Sequence, residues 1–345
     1  MTIKIKSVVN ILPGLAVAFV IAAVAKMLVG LLPVHLIGAS VFALFIGILI
    51  NRFWKPKILV MGLKFTSKKI LKFAIVLLGT SLSINTVLTV GKMSLVVMCF
   101  TLFTCFGGGY LVGKALKLNW KISNLISAGT GICGGSAIAA IAPVVNADDK
   151  DIAYAMSATF LFDMAMIVLF PILGFRMGLS DMAYGLWAGT AVNDTSSVVA
   201  AGYAFSESAG DFATMVKLTR TLTIIPTVLI FSLINAHLEQ KACIVSETEH
   251  SKKNKLKITS LFPWFIVAFV ILAIINSFGV IPVFVSNSAK EVSKFLMVAA
   301  LAAIGMNTSF NDMKKSGIAP LLHGFIISAL VVVVALAVEF FMGVL

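Results

Sequence analysis

Residues 129–140, GTGICGGSAIAA, place glycine at 129, 131, 134 and 135, inside the longer apolar stretch ISNLISAGTGICGGSAIAAIAPVV that starts at Ile122. Each glycine in a helix interior costs about 1 kcal/mol relative to alanine. In water such a run would read as a loop. Its apolar flanks instead describe a helix interrupted part-way along its length.

The solvent is decided by composition. Of the 345 residues 60% are hydrophobic and 12% charged, with a mean hydropathy of +1.06. So few polar side chains cannot cover a soluble globule of this size. Apolar runs of the length a membrane helix needs, roughly 17–25 residues, recur along the chain without strand-like alternation. The expected fold is therefore an all-α polytopic membrane protein. Its eleven expected spans are 11–32, 36–51, 70–84, 93–113, 122–145, 151–172, 182–205, 211–237, 260–279, 290–306 and 318–343. The first run has no small-residue cleavage site after it and reads as a span, not a removable signal. The chain reads as a single transmembrane transporter domain, 1–345, with a cytoplasmic loop over 238–258.

The net charge of +13 is a topology signal, not a nucleic-acid signal. Most basic residues, including the groups Arg52 to Lys72, Lys114 to Lys121 and Lys241 to Lys257, fall on one side of these spans, while Lys92, Lys150, Lys290 and Lys294 fall on the other. The positive-inside rule then sets the N-terminus in the cytoplasm and the C-terminus outside. Cys99, Cys105, Cys133 and Cys243 have no paired metal spacing, so neither a zinc site nor a disulfide framework is expected. No cofactor is expected.

Lipid cannot hydrogen-bond freed backbone groups, so a helix breaks at membrane depth only where protein or a watery cavity supplies partners. The second half-helix, starting near Gly134 to Ser136, would point its positive end and free N–H groups at the break and attract anions. Gly134→Leu and Gly135→Leu are both expected to abolish transport. A second break is expected in GLWAGTAVNDTSSVVAAG, 185–202, where Asn193, Asp194, Thr195 and Ser196 interrupt an apolar run and Asp194 suits a helix N-cap. Lys217 and Arg220 lie one turn apart on one helix face within a span. Two cations at that depth imply a buried carboxylate, an anionic ligand or an aqueous cavity. Asp163, in TFLFDMAMIV, is a further carboxylate at membrane depth.

Repetition adds a third candidate. The segment from Gly79 (GTSLSINTVLTVGKMSL) aligns without gaps to that from Gly305 (GMNTSFNDMKKSGIAPL), with identities including Gly79/Gly305, Ser83/Ser309 and Gly91/Gly317. The topology sets the two copies in opposite orientations, as in transporters built from inverted repeats. The second crossing helix then falls either near 188–197, by its polar cluster, or near 305–309, by orientation.

GTGICGGSAIAA, GLWAGTAVNDTSSVVAAG, VKLTR and the late GMNTSFNDMKKSGIAPLL follow one another as in the YeiH-like sulfate exporter family of bacterial inner-membrane proteins, which this chain resembles over nearly its whole length. The resemblance implies a fold related to bile-acid transporters and sodium/proton antiporters, with inverted repeats and discontinuous crossing helices. It also implies the bacterial inner membrane as location. Two positions depart from the resemblance: relatives usually carry histidine at Asn193 and an apolar residue or glycine at Asp163.

The expected function is secondary active transport of a small anion, a sulfate-like oxyanion or organosulfonate, by alternating access. No GxxxxGK[ST] is present, so the driving force is expected to be a gradient. The expected substrate site comprises Thr130, Gly131, Cys133, Gly134, Gly135, Ser136, Asn193, Asp194, Thr195, Ser196, Lys217 and Arg220, with weaker coupling candidates Asp163, Asn307 and Thr308. The alternative is a sodium/proton-type cation antiporter using Asp163 and Asp194. Expected partners are the anion, a coupling ion (H+ or Na+), membrane lipid and, in a homodimer, a second copy; nucleic acid is not among them. An enzyme is not expected: a Ser136–His323 hydrolase dyad is the only arrangement the residues suggest, and an isolated histidine on a packed helix explains His323 as well.

Overall fold

The computed structural model describes residues 2–31, 39–54, 56–246, 264–307 and 317–345, and in these the chain is helical, with no strand among the described residues. In chain order the helices are α1 (Thr2–Leu31), α2 (Ala39–Phe53), α3 (Val60–Phe65), α4 (Leu71–Leu78), α5 (Ile84–Phe103), α6 (Gly109–Ala115), α7 (Trp120–Ala128) and α8 (Gly135–Ile141). They are followed by α9 (Asp149–Arg176), α10 (Asp181–Ala191), α11 (Thr195–Phe205), α12 (Glu207–Leu222), α13 (Ile224–Ser246), α14 (Trp264–Ser277), α15 (Val283–Asn307) and α16 (Ile318–Phe341).

Five described stretches are long and apolar enough to cross a membrane: Asn10–Val29, Ile84–Ala115, Lys150–Arg176, Glu207–Asn235 and Ile318–Phe341. Val41–Phe53 and Trp264–Ser277 are apolar but shorter. Burial is arranged as lipid demands. Phe45, Phe103, Phe325 and Phe341 are exposed, while Asp163, Asn193, Lys217, Arg220, His323 and Glu339 are enclosed by protein.

Start signals act where the sequence supplies them. Ser83, Asn119, Ser180, Asp194 and Ser206 each accept a backbone N–H from the first turn that follows. Helix–helix contacts run through small residues. A side chain added at Gly305 would strike the Leu44 carbonyl, and one at Gly47 the Ala302 carbonyl, so α15 and α2 touch backbone to backbone. Gly185, Gly189 and Gly202 likewise let α10 and α11 lie directly on α12, against Phe212, Val216 and Gly210.

Of the two candidates for the second break, the described residues contain the one near 188–197. Gly305 sits inside α15, which is continuous through Asn307, and it serves close packing; Thr308 and Ser309 lie outside the described residues. The chain breaks instead at Val192–Asp194, between α10 and α11. The gapless repeat also changes register in the structure, because Gly91 is interior to α5 whereas Gly317 precedes α16 at φ +78°. Helix α13 continues through Ser246, so the part of the expected 238–258 loop that is described is helical; 247–258 lie outside the described residues.

Candidate functional site

Two interrupted helices meet at their interruptions. The first leaves α7 through a wide π turn, Gly129–Cys133, and restarts at α8 after Gly134. Gly134 has φ +64° and ψ −133°, a conformation only glycine adopts without strain. The second leaves α10 at Val192 and restarts at α11 with Asp194 as N-cap. Built onto Gly134, a Cβ would lie 3.0 Å from the Asp194 Cβ and 3.2 Å from its Cα, so the two breaks are in backbone contact.

A broken helix exposes carbonyls at one end and N–H groups at the other, each end carrying roughly half a charge. The protein supplies side chains for these ends from helices that are not themselves broken. Arg220, on α12, donates from Nε to the Gly131 carbonyl at 2.6 Å, from Nη2 to the Thr130 carbonyl at 2.5 Å and from Nη1 to the Val192 carbonyl at 3.3 Å. Lys217, one turn earlier, donates to the same Val192 carbonyl at 2.9 Å. The two cations therefore close the carbonyl ends of both breaks, and both are fully buried, at 0% and 1% exposure.

The start of α11 is treated in the opposite sense. Asp163, buried on α9, accepts the Asn193 N–H at 2.9 Å through Oδ1 and the Asp194 N–H at 3.1 Å through Oδ2. Asp194 itself accepts the Ser196 N–H at 2.9 Å and the Ser196 hydroxyl. Paired carboxylates thus face the α11 end and paired ammonium and guanidinium groups face the carbonyl ends, so the four formal charges cancel.

Helix α16 holds both broken helices in register. His323 Nε2 lies 3.1 Å from Ser123 Oγ of α7 and 3.0 Å from the Gly109 carbonyl. Ser328 Oγ accepts from Asn193 Nδ2 at 3.3 Å, and the Trp187 indole of α10 donates to the Val332 carbonyl at 3.1 Å. Both His323 bonds are made by its Nε2, while its Nδ1 is buried without a hydrogen-bond partner. Thr130 Oγ1 and Asn193 Oδ1 are buried at the crossing without a hydrogen-bond partner.

The accessible side of the crossing is narrower than the expected residue set. Ser136 is exposed, and Gly135, Asp194 and Thr195 are partly exposed. Thr130, Gly131, Cys133, Gly134, Asn193, Ser196, Lys217 and Arg220 lie behind them, buried. Asn307 ends α15, partly exposed, and Thr308 lies outside the described residues. No local signal around Asp163 points to the two backbone N–H groups, about thirty residues away, that it reaches.

A family profile described as "Conserved hypothetical protein 698" matches residues 13–324. A UPF0324 membrane protein of Clostridium tetani is 56% identical over 338 residues, covering 96% of this chain and 97% of that one. A UPF0324 membrane protein of Streptococcus mutans is 40% identical over 338 residues, at 96% and 98% coverage. The chain belongs to the UPF0324 membrane protein family. Its relatives span its whole architecture, so the crossing lies wholly inside the shared region. UPF0324 relatives are named as membrane proteins, in keeping with the apolar helices and enclosed charges of this one. The YeiH-like resemblance is consistent with this family.

Proposed function

We propose that this protein is a secondary transporter of a small anion, working by alternating access around the crossing, with eleven spans in the bacterial inner membrane and the N-terminus in the cytoplasm. One observation carries the reading. Of the four half-helix ends at the crossing, those of α7, α10 and α11 are closed by the buried Arg220, Lys217 and Asp163 and by the partly exposed Asp194. The start of α8 has no side-chain cap and no acidic residue in its first turn, and it is the end whose residues, Gly135 and Ser136, reach the accessible side. A helix start without a side-chain cap favours negative charge, and here the Asp194 carboxylate lies beside its N-cap Gly134 as the acidic neighbour a substrate anion would have to share it with.

In this reading Gly135 N–H, Ser136 and Thr195 meet the substrate. Lys217 and Arg220 hold the crossing from behind instead of touching the anion as the sequence reading had it. Sulfate-like oxyanions and organosulfonates fit, since their oxygens accept several N–H and O–H donors at once. Two broken helices that meet at their breaks also support a transporter architecture with discontinuous helices, of which inverted repeats are the proposed origin.

A second reading, cation antiport through Asp163 and Asp194, is favoured by the partial exposure of Asp194 at the same mouth. Asp194→Ser separates the two. Serine caps a helix about as well as aspartate, so the fold is expected to survive. For an anion carrier the change removes a like charge beside the site, and sulfate, sulfite, thiosulfate or taurine is expected to stabilise the variant at lower concentration than wild type. For a cation carrier it is expected to erase stabilisation by Na+. Melting of the detergent-solubilised protein reads this directly, because a ligand at a hundredfold excess over its Kd adds about 2.7 kcal/mol to the native state. Uptake of the stabilising radiolabelled anion into proteoliposomes is then expected, and absence of both stabilisation and uptake for every anion would reject the anion reading.

A further inference from the structure

We infer that Glu207, Asp211, Lys290 and Lys294 form an ionic latch that holds the crossing helices in the present conformation and opens when the site changes sides. The inference rests on the alternating-access reading. Lys290 Nζ lies 2.8 Å from Asp211 Oδ2 and 2.9 Å from Glu207 Oε1, and Lys294 Nζ lies 2.6 Å from the same Glu207 oxygen. Lys294 also pairs with Glu291 at 3.0 Å, and Glu291 with Lys26 of α1 at 3.7 Å. Tyr203 OH donates to Asp211 Oδ1 at 2.5 Å.

The placement of these residues gives the network its meaning. Glu207 and Asp211 open α12, the helix that delivers Lys217 and Arg220 to the crossing, and Tyr203 belongs to α11, the second half of a broken helix. Lys290, Glu291 and Lys294 belong to α15, which is fixed elsewhere. Its Ser293 Oγ donates to the Ala74 carbonyl of α4 at 2.6 Å, its Ser286 Oγ donates to the Thr80 carbonyl at 2.9 Å, and its Gly305 is pressed on α2. The ion pairs therefore join the helices that carry the site to those that do not. Movement of the crossing relative to α15 has to break them.

Half-exposed ion pairs add little to global stability, yet they bias a two-state equilibrium that is itself shallow. Asp211 is the anchor: its side chain is 11% exposed, against 57% for Glu207. Glu207, the most exposed of the four, is therefore the position where charge can be reversed with least disturbance to the core, and Lys294, its partner at 2.6 Å, is the position for the compensating reversal.

The test uses Ser136→Cys as a reporter in full-length protein carrying Cys99→Ala and Cys243→Ala, labelled with a membrane-impermeant maleimide in right-side-out and inside-out vesicles. Glu207→Lys sets like charges against Lys290 and Lys294. It is expected to shift the ratio of labelling from the two sides by roughly fivefold or more, the scale on which a two-state population responds to losing such pairs. Adding Lys294→Glu restores an opposite pair and is expected to return the ratio to within about twofold of the parent. Lys294→Gln gives a milder shift in the same direction and guards against misfolding of Glu207→Lys, which size-exclusion profiles would reveal. A reactive Ser136→Cys whose ratio ignores both Glu207→Lys and Lys294→Gln overturns the latch alone. A Ser136→Cys that reacts from neither side in any variant overturns the alternating-access reading, and the latch with it.

Discussion

Gly134→Ala is expected to disrupt the crossing, and Gly135→Ala, one residue on, to be nearly silent. At Gly134 the backbone holds φ +64° and ψ −133°, outside the regions an L-residue occupies at low cost. Forcing alanine there costs about 1–3 kcal/mol in backbone strain. Its methyl group would also meet Asp194, with Cβ 3.0 Å and Cα 3.2 Å away, and the Asp194 backbone is pinned by Asp163 and cannot yield freely. Overpacking of that kind adds about 1–3 kcal/mol. At Gly135 φ is not positive and the nearest atom to an added Cβ is Met156 Cε at 4.0 Å, ordinary contact with the end of a flexible side chain. The sequence treats the two glycines alike, and the coordinates separate them. The measurement is the melting temperature of each purified variant, followed by anion uptake. Gly134→Ala melting with wild type, or Gly135→Ala falling as far as Gly134→Ala, would show that the break is held some other way.

The contrast marks what the sequence could and could not convey. Both interruptions were legible, because glycine clusters and runs of short polar side chains act locally: each changes the conformation or capping of the residues that bear it. Asp194 as N-cap was readable for the same reason. The partnership of the two breaks was not, since it depends on which helices lie side by side, and Gly305 carries the same letter whether it bends a helix or lets α15 press on α2. Asp163 was visible as a carboxylate at membrane depth, but nothing near it in sequence names the Asn193 and Asp194 N–H groups it serves. Lys217 and Arg220 announced buried partners, and the structure shows them donating to the backbone carbonyls of the two breaks. Charge identity survives translation from sequence to structure well; the direction in which a long side chain reaches does not.

Arg220→Lys is expected to weaken the fold far more than it weakens anion binding. The guanidinium spans three carbonyls from two separate breaks, at Thr130, Gly131 and Val192. A lysine ammonium has three donors on a single nitrogen and lacks the planar fork that reaches both breaks together. It would also bring a second ammonium close to Lys217, which already serves the Val192 carbonyl. Two lost charge-assisted bonds to buried carbonyls correspond to about 3–6 kcal/mol, since each contributes about 1.5–3. Arg220→Gln goes further by removing the charge and leaving the buried Asp163 carboxylate partly unbalanced, a change of the kind that costs about 3–5 kcal/mol when one member of a buried set is deleted. Adding Asp163→Asn tests where the balance lies. If Arg220 existed to neutralise Asp163, the double variant would recover. In the structure Asp163 serves the start of α11 and Arg220 the carbonyl ends, and the two form no ion pair, so the second change removes a separate support and is expected to lower stability again. Melting temperatures of the single and double variants, each with and without the stabilising anion, distinguish these outcomes. The anion-dependent increment is expected to persist in Arg220→Lys wherever the protein remains folded, because the guanidinium is wholly enclosed behind Gly135 and Ser136. An Arg220→Lys variant that melts with wild type but loses its response to anions would instead place the guanidinium in contact with the substrate.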